Sequence, residues 1–150
     1  MPPLRLRPST GSAEHPSLVG IWRSAVDVSH DFLARAHRDE IESHLESDYF
    51  PGVVLSVAER SDRPVGFSGV LDGNLEMLFI EATERGTGVG TALLEHAITE
   101  HGVTTVDVNE HNSAALRFYA RRGFEVVGRS ETDEAGRPYP LLHLRLAVRS

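Results

Sequence analysis

Apolar positions along this chain recur at two spacings, and the order in which the spacing changes outlines a fold. Leu4 and Leu6 alternate with Arg5 and Arg7, which predicts a short strand at a sheet edge with one buried face. From Pro16 to Asp27 the set Leu18, Val19, Ile21, Trp22, Ala25 and Val26 follows helical spacing, and a second helix is expected from Leu33 to about Ser47. Val53 to Glu59, Val65 to Leu71 and Leu75 to Ile80 read as an antiparallel meander. Its turns are the polar run Arg60 to Pro64 and Asp72-Gly73-Asn74. The spacing then reverts to helical. Val89, Leu93, Leu94, Ala97 and Ile98 form an apolar stripe that should end near His101-Gly102, and Val103 to Val108 is again strand-like. Such a strand, helix, strand succession implies a right-handed crossover and locally parallel strands. A further helix is expected over Ser113 to Arg122, capped by Asn112 and closed by Gly123, followed by strands at Phe124 to Gly128 and Leu141 to Val148.

These elements add up to a mixed α/β (α+β) domain spanning 1–150: a twisted, mostly antiparallel sheet of about seven strands with a central parallel splay and helices on both faces. A chain of 150 residues can bury such a core unaided. No apolar run approaches the roughly 20 residues of a membrane span, so no membrane partner is expected, and without an export signal the default is the cytoplasm. The 15 basic residues are all arginine and face 22 acids, so the net charge of −7 opposes nucleic-acid binding. Absence of cysteine removes a thiol nucleophile and a thiolate metal site. His30, His37 and His44 recur every seven residues, a rise of roughly 10.5 Å on a helix, too far for two imidazoles to share one ion, so no metal is expected. The acid-rich span from Asp27 to Asp48 reads first as a solvated helix face and second as a lure for a cationic acceptor. Monomer and homodimer are equally compatible with the sequence.

Chemistry concentrates where the third meander strand runs into Arg85-Gly86-Thr87-Gly88-Val89-Gly90-Thr91 at the mouth of a helix. Glycines there allow backbone N–H groups to approach a diphosphate, with the positive helix end behind them and Arg85 beside them. A nucleoside-triphosphatase loop would need a lysine, and the chain has none. A dinucleotide fingerprint would place its third glycine at Thr91, although Asp107 lies near the expected acidic position.

Arg85, Gly88 and Gly90 match the Arg/Gln-x-x-Gly-x-Gly/Ala coenzyme A loop of the GNAT superfamily of N-acetyltransferases, which this sequence resembles. Asn112, Ala115, Phe118, Tyr119, Arg122, Gly123 and Phe124 match that family's second motif, Asn-x-x-Ala-x-x-Phe-Tyr followed by a basic residue and Gly-Phe. The likeness extends over nearly the whole chain and looks closest to the bacterial YjaB-type acetyltransferases in Ile21-Trp22, in 29–32, in 128–130 and in 138–142. It implies acetyl transfer from acetyl-coenzyme A to an amine in a ternary complex, without a resident metal. Backbone of Leu78, Phe79 and Ile80 would hold the pantetheine arm, and Gly86, Thr87, Val89, Thr91, Asn112 and Phe118 would join the cofactor contacts. Tyr119 would protonate the departing sulfur, although periodicity alone makes it a core tyrosine beside Ala115 and Phe118. Glu76, mid-strand and expected to face opposite Met77, is the candidate base; a salt-bridged edge residue or a water relay are the alternatives. Arg117, Arg121 and Arg122 could reach phosphates or simply be solvated. Trp22, His30 and Phe32 lie where the family forms its acceptor pocket, with core packing the alternative for Trp22 and Phe32. A non-catalytic acyl-coenzyme A sensing module is the second functional reading.

Overall fold

A computed structural model describes residues 2–29 and 32–147. Among these residues seven strands form one sheet in the order β1-β2-β3-β4-β5-β7-β6. They are β1 (Leu4–Pro8), β2 (Val54–Arg60), β3 (Arg63–Leu71), β4 (Asn74–Ile80), β5 (Thr105–Asn109), β6 (Phe124–Ser130) and β7 (Leu141–Leu146). All neighbours are antiparallel except β4 and β5, whose parallel ladder is confined to Asn74↔Thr105 and Leu75↔Val106. Beyond Leu75 the two strands part, which opens the sheet in its middle.

Among the described residues four helices cover the two faces, in line with the periodicity. Helix α1 (His15–Ser29) buries Leu18, Ile21, Trp22, Ala25 and Val26, spaced as one helical stripe, and all but Ala25 pack with Leu55, Val57, Phe67 and Met77. Helix α2 (Arg35–His44) ends earlier than its apolar pattern suggested, because Leu45–Tyr49 widens into a π-type turn that drops Leu45 into the core. On the other face, α3 (Val89–His101) and α4 (Ser113–Arg121) pack Leu94, Ala97 and Tyr119 onto Val70, Leu75, Val106, Val108 and Leu144. Gly102 closes α3 in the left-handed conformation at φ 65°, and the Asn112 side chain caps α4 by accepting from the Ala115 N–H at 3.1 Å.

Two local departures from the sequence reading matter. The turn expected over five residues is a two-residue hairpin: Arg60 pairs with Arg63 across Ser61 and Asp62, both at positive φ. The register also slips between Gly69 and Val70, leaving Glu76 as the extra residue of a β-bulge between Leu75 and Met77. The last strand ends at Leu146, and Val148, placed in it by the sequence reading, lies outside the described residues.

Beneath β1, Arg7 donates to Glu59 at 2.9 Å and to both oxygens of Glu14, and none of the three side chains is more than 17% exposed. The hydrogen bond from Arg7 holds the Glu14 carboxyl below its ordinary range. Arg7→Met strips Glu14 of its arginine and leaves Glu59 only the exposed Arg5 at 3.5 Å, and is expected to cost about 3 kcal/mol at pH 7. A depressed folded value means the Glu14 contribution is complete above the unfolded value of about 4.3 and fades as pH falls through the folded one. The gap between parent and variant in urea unfolding should therefore shrink from pH 7 to pH 3.

Candidate active site

Where β4 and β5 separate, a cleft of about 530 Å³ opens between the end of β4, the start of α3 and the start of α4. Gly86 and Gly88, at φ 77° and 91°, hold conformations that side chains resist, and a Cβ on either would meet nothing within 4 Å. Gly88 is the N-cap of α3, so the first N–H groups of that helix lack intrahelical partners at the cleft wall. Gly90 serves packing instead: a Cβ there would come within 3.3 Å of Phe118, so the glycine lets α3 lie close to α4.

Arg122 donates to the Phe118 carbonyl at 2.8 Å and to the Thr91 hydroxyl, with its guanidinium carbon 3.8 Å from the centre of the Phe118 ring. Its Nε is buried and unpaired, so one donor of a cleft-lining cation is unspent beside the helix start. Tyr119 lines the same cleft at 7% exposure, wedged edge-on against Phe118 and Phe124. Burial pushes its phenol well above the ordinary value, with the Arg122 charge opposing. The group stays protonated at neutral pH and so keeps a proton to donate.

A second cleft of about 540 Å³ lies on the α1 side of the sheet, lined among others by Trp22, Tyr49, Glu76, Met77, Asp107 and Glu134. Phe79 lines both clefts. The bulge overturns the expected orientation of Glu76. Strict alternation would set it opposite Met77, but the extra residue shifts the pleat, and Glu76 and Met77 line the same cleft. Asn74 donates to Glu76 at 2.8 Å and is itself held by the Thr105 hydroxyl at 2.7 Å, so the parallel contact of β4 with β5 aims the carboxylate. Carboxylate oxygens of Glu76, Asp107 and Glu134 lie within 4.8 Å of one another. Burial, then the charges of Glu134 and Asp107, raise the Glu76 carboxyl above its ordinary range against the Asn74 hydrogen bond.

Of the residues singled out from sequence, Leu78, Phe79, Ile80, Arg85, Gly86, Gly88, Val89, Gly90, Thr91, Asn112, Phe118 and Tyr119 line the first cleft. Thr87 turns away, its hydroxyl donating to the Glu84 carbonyl at 2.6 Å. Arg117 and Arg121 are exposed and line neither cleft. Trp22 both packs in the core at 3% exposure and walls the second cleft, whereas Phe32 packs against His111 and Tyr139. His30 lies outside the described residues. His37 and His44 meet separate partners, Tyr139 and Asp48. Asp107 and Glu134 were missed as cleft residues; the alternation of Asp107 with buried Val106 and Val108 was the available signal.

A sheet parted between two parallel strands, with a glycine-rich helix start at the parting, defines an acyl-coenzyme A transferase architecture. The chain belongs to the GNAT acetyltransferase family, whose domain model, described as Acetyltransferase (GNAT) domain, matches residues 23–140. It is 47% identical over 132 residues to the peptidyl-lysine N-acetyltransferase YjaB of Salmonella typhimurium, covering 87% of this chain and 90% of that one. The solution structure of apo-form YjaB from Escherichia coli superposes with a TM-score of 0.89 at 41% identity, over 98% of this chain and 99% of that one. The PaiA N-acetyltransferase of Thermoplasma acidophilum, solved in complex with coenzyme A, shares the fold at a TM-score of 0.71 and 15% identity, over 95% and 99% of the two chains. Among the described residues no helix is long and apolar enough to cross a membrane.

Proposed function

We propose that this acetyltransferase moves the acetyl group of acetyl-coenzyme A onto the side-chain amine of a protein or peptide lysine by direct attack in a ternary complex. The observation that carries the reading is the pair of clefts that share Phe79, one walled by the glycine-rich start of α3 and the other lined with carboxylates. The diphosphate would rest on the N–H groups of the Gly88 loop and α3, with Arg122 and Arg85 as counter-charges. Backbone groups of Leu78 to Ile80, unpaired toward β5, would hold the pantetheine arm as an added strand. The YjaB relative, a peptidyl-lysine N-acetyltransferase, supports lysine as acceptor.

An ammonium has no lone pair and must first surrender a proton. Glu76 takes it, its affinity for protons raised by burial and by the charges of Glu134 and Asp107. The neutral amine attacks the thioester carbon; the tetrahedral intermediate collapses as the carbon–sulfur bond breaks, and Tyr119 protonates the leaving thiolate. Glu76→Gln is expected to lower kcat/KM for the amine by about 10² at pH 7. In the parent, activity falls as pH drops through the Glu76 value because the base becomes protonated, and the variant should lose that limb of the profile. A parent and variant with superimposable profiles would exclude Glu76 as the base.

The acceptor is tested by thiol release from acetyl-coenzyme A with a panel of lysine peptides, peptides whose sole amine is the α-amino group, free amino acids and polyamines. Because the chain contains no lysine, every acetyl-lysine formed belongs to the added acceptor. Faster turnover of N-terminal amines or small amines than of lysine peptides would refute the proposed acceptor.

A further inference from the structure

Asp107, on the floor of the second cleft, is one end of a hydrogen-bonded string that crosses three strands. Its Oδ1 lies 2.6 Å from His143 Nδ1, and His143 Nε2 lies 2.7 Å from the Ser130 hydroxyl. The sheet builds this string deliberately. Asp107 and His143 are directly opposed across β5 and β7, so both side chains leave the same face. A register shift between Val126 and Gly128 brings Gly128 opposite His143, and a Cβ on Gly128 would sit 3.4 Å from the imidazole. The ring lies in ordinary contact across Gly128 of β6 and reaches Ser130.

A carboxylate can only accept, so His143 Nδ1 carries a hydrogen and donates it to Asp107; in the neutral ring Nε2 then accepts from Ser130. The same residue types in the same order make a hydrolytic triad, but here the geometry runs the other way. Asp107 lines a cleft, whereas Ser130 lines neither. The working end of the string is the carboxylate.

We propose that His143, backed by Ser130, is a positioning residue for the acceptor: it ties one oxygen of Asp107 and so aims the carboxylate at the acceptor's ammonium. This rests on the amine-acetylation reading above and adds to it a residue outside both clefts. Asp107 holds the ammonium while Glu76, within 4.8 Å of it, removes the proton. Neither role involves acetyl-coenzyme A, so the two substrates should respond differently to change at position 143.

Steady-state kinetics with a lysine peptide test this in three variants. His143→Ala should lower kcat/KM for the peptide about ten- to a hundredfold, the loss of one hydrogen bond to a charged group, while KM for acetyl-coenzyme A stays within about threefold. His143→Asn keeps an N–H donor near the Nδ1 position and should recover activity to within about threefold of the parent. Ser130→Ala, which removes only the far partner, should lose less than His143→Ala. Should His143→Ala fail to fold, His143→Gln replaces it, since its amide reaches toward Ser130 and not toward Asp107. Peptide kinetics within threefold of the parent in the folded donor-less variant would overturn the proposal. So would equal loss in the donor-less and Asn variants, which would mark His143 as structural. A parent that acetylates no amine would overturn both this role and the reading beneath it, and is told apart by the parent control.

Discussion

Tyr119→Phe is expected to lower kcat by about 10² to 10⁴, with fold and acetyl-coenzyme A affinity intact. The ring alone explains the packing: it meets Phe118 and Phe124 edge-on at 5.1 and 5.6 Å between centroids, and phenylalanine keeps both contacts. Only the hydroxyl is removed. Burial keeps that phenol protonated, and the same dry surroundings would disfavour a thiolate leaving beside it, so in the proposed mechanism the phenol's proton would meet the departing sulfur. Without the donor, the intermediate must expel an unprotonated sulfur into a cleft walled by Phe118, Val89 and Leu78. The check is kcat at saturating acetyl-coenzyme A together with a melting curve. A folded variant within threefold of the parent, in the absence of a product burst that would signal slow release, would remove Tyr119 from the mechanism.

Gly88→Glu should abolish measurable binding of acetyl-coenzyme A. Two effects act together. The backbone at φ 91° is strained for any side chain, and the space a Cβ would enter is the cleft itself. A carboxylate there would compete for the N–H groups at the head of α3 and repel the diphosphate. Calorimetric titration of the folded variant decides: affinity equal to the parent's would mean that this loop does not carry the phosphates.

The first cleft was legible in the sequence because its parts are contiguous. A strand, a glycine loop and a helix follow one another from Leu78 to Thr91, and Asn112 to Arg122 supplies the other wall one strand later. Local spacing suffices for such a site. The second cleft gathers Trp22, Tyr49, Glu76, Asp107 and Glu134 from five separate segments, and no window of the chain contains more than one of them. Its orientation also depends on a bulge, which is set by how Gly69 and Val70 pair with the partner strand and leaves no mark in the hydrophobic pattern. The expectation for Glu76 thus chose a residue that does line the cleft while misreading the direction of its neighbour. Arg122 illustrates the reverse case. Helical spacing did not separate it from Arg117 and Arg121, although the second motif includes it, and burial sets it apart: Arg122 lines the first cleft with a buried, unpaired Nε while the other two are exposed.

Direct transfer between the two clefts is tested most closely by following a labelled acetyl group through a single turnover. Protein in excess is mixed with labelled acetyl-coenzyme A, first alone and then with a lysine peptide, and both protein and peptide are weighed by mass spectrometry. The account predicts an unlabelled protein before the peptide is added, and then one labelled acetyl-lysine on the peptide for each thiol released. Label on a serine or histidine of the protein before the peptide arrives, or bound acetyl-coenzyme A that no amine ever discharges, would contradict it.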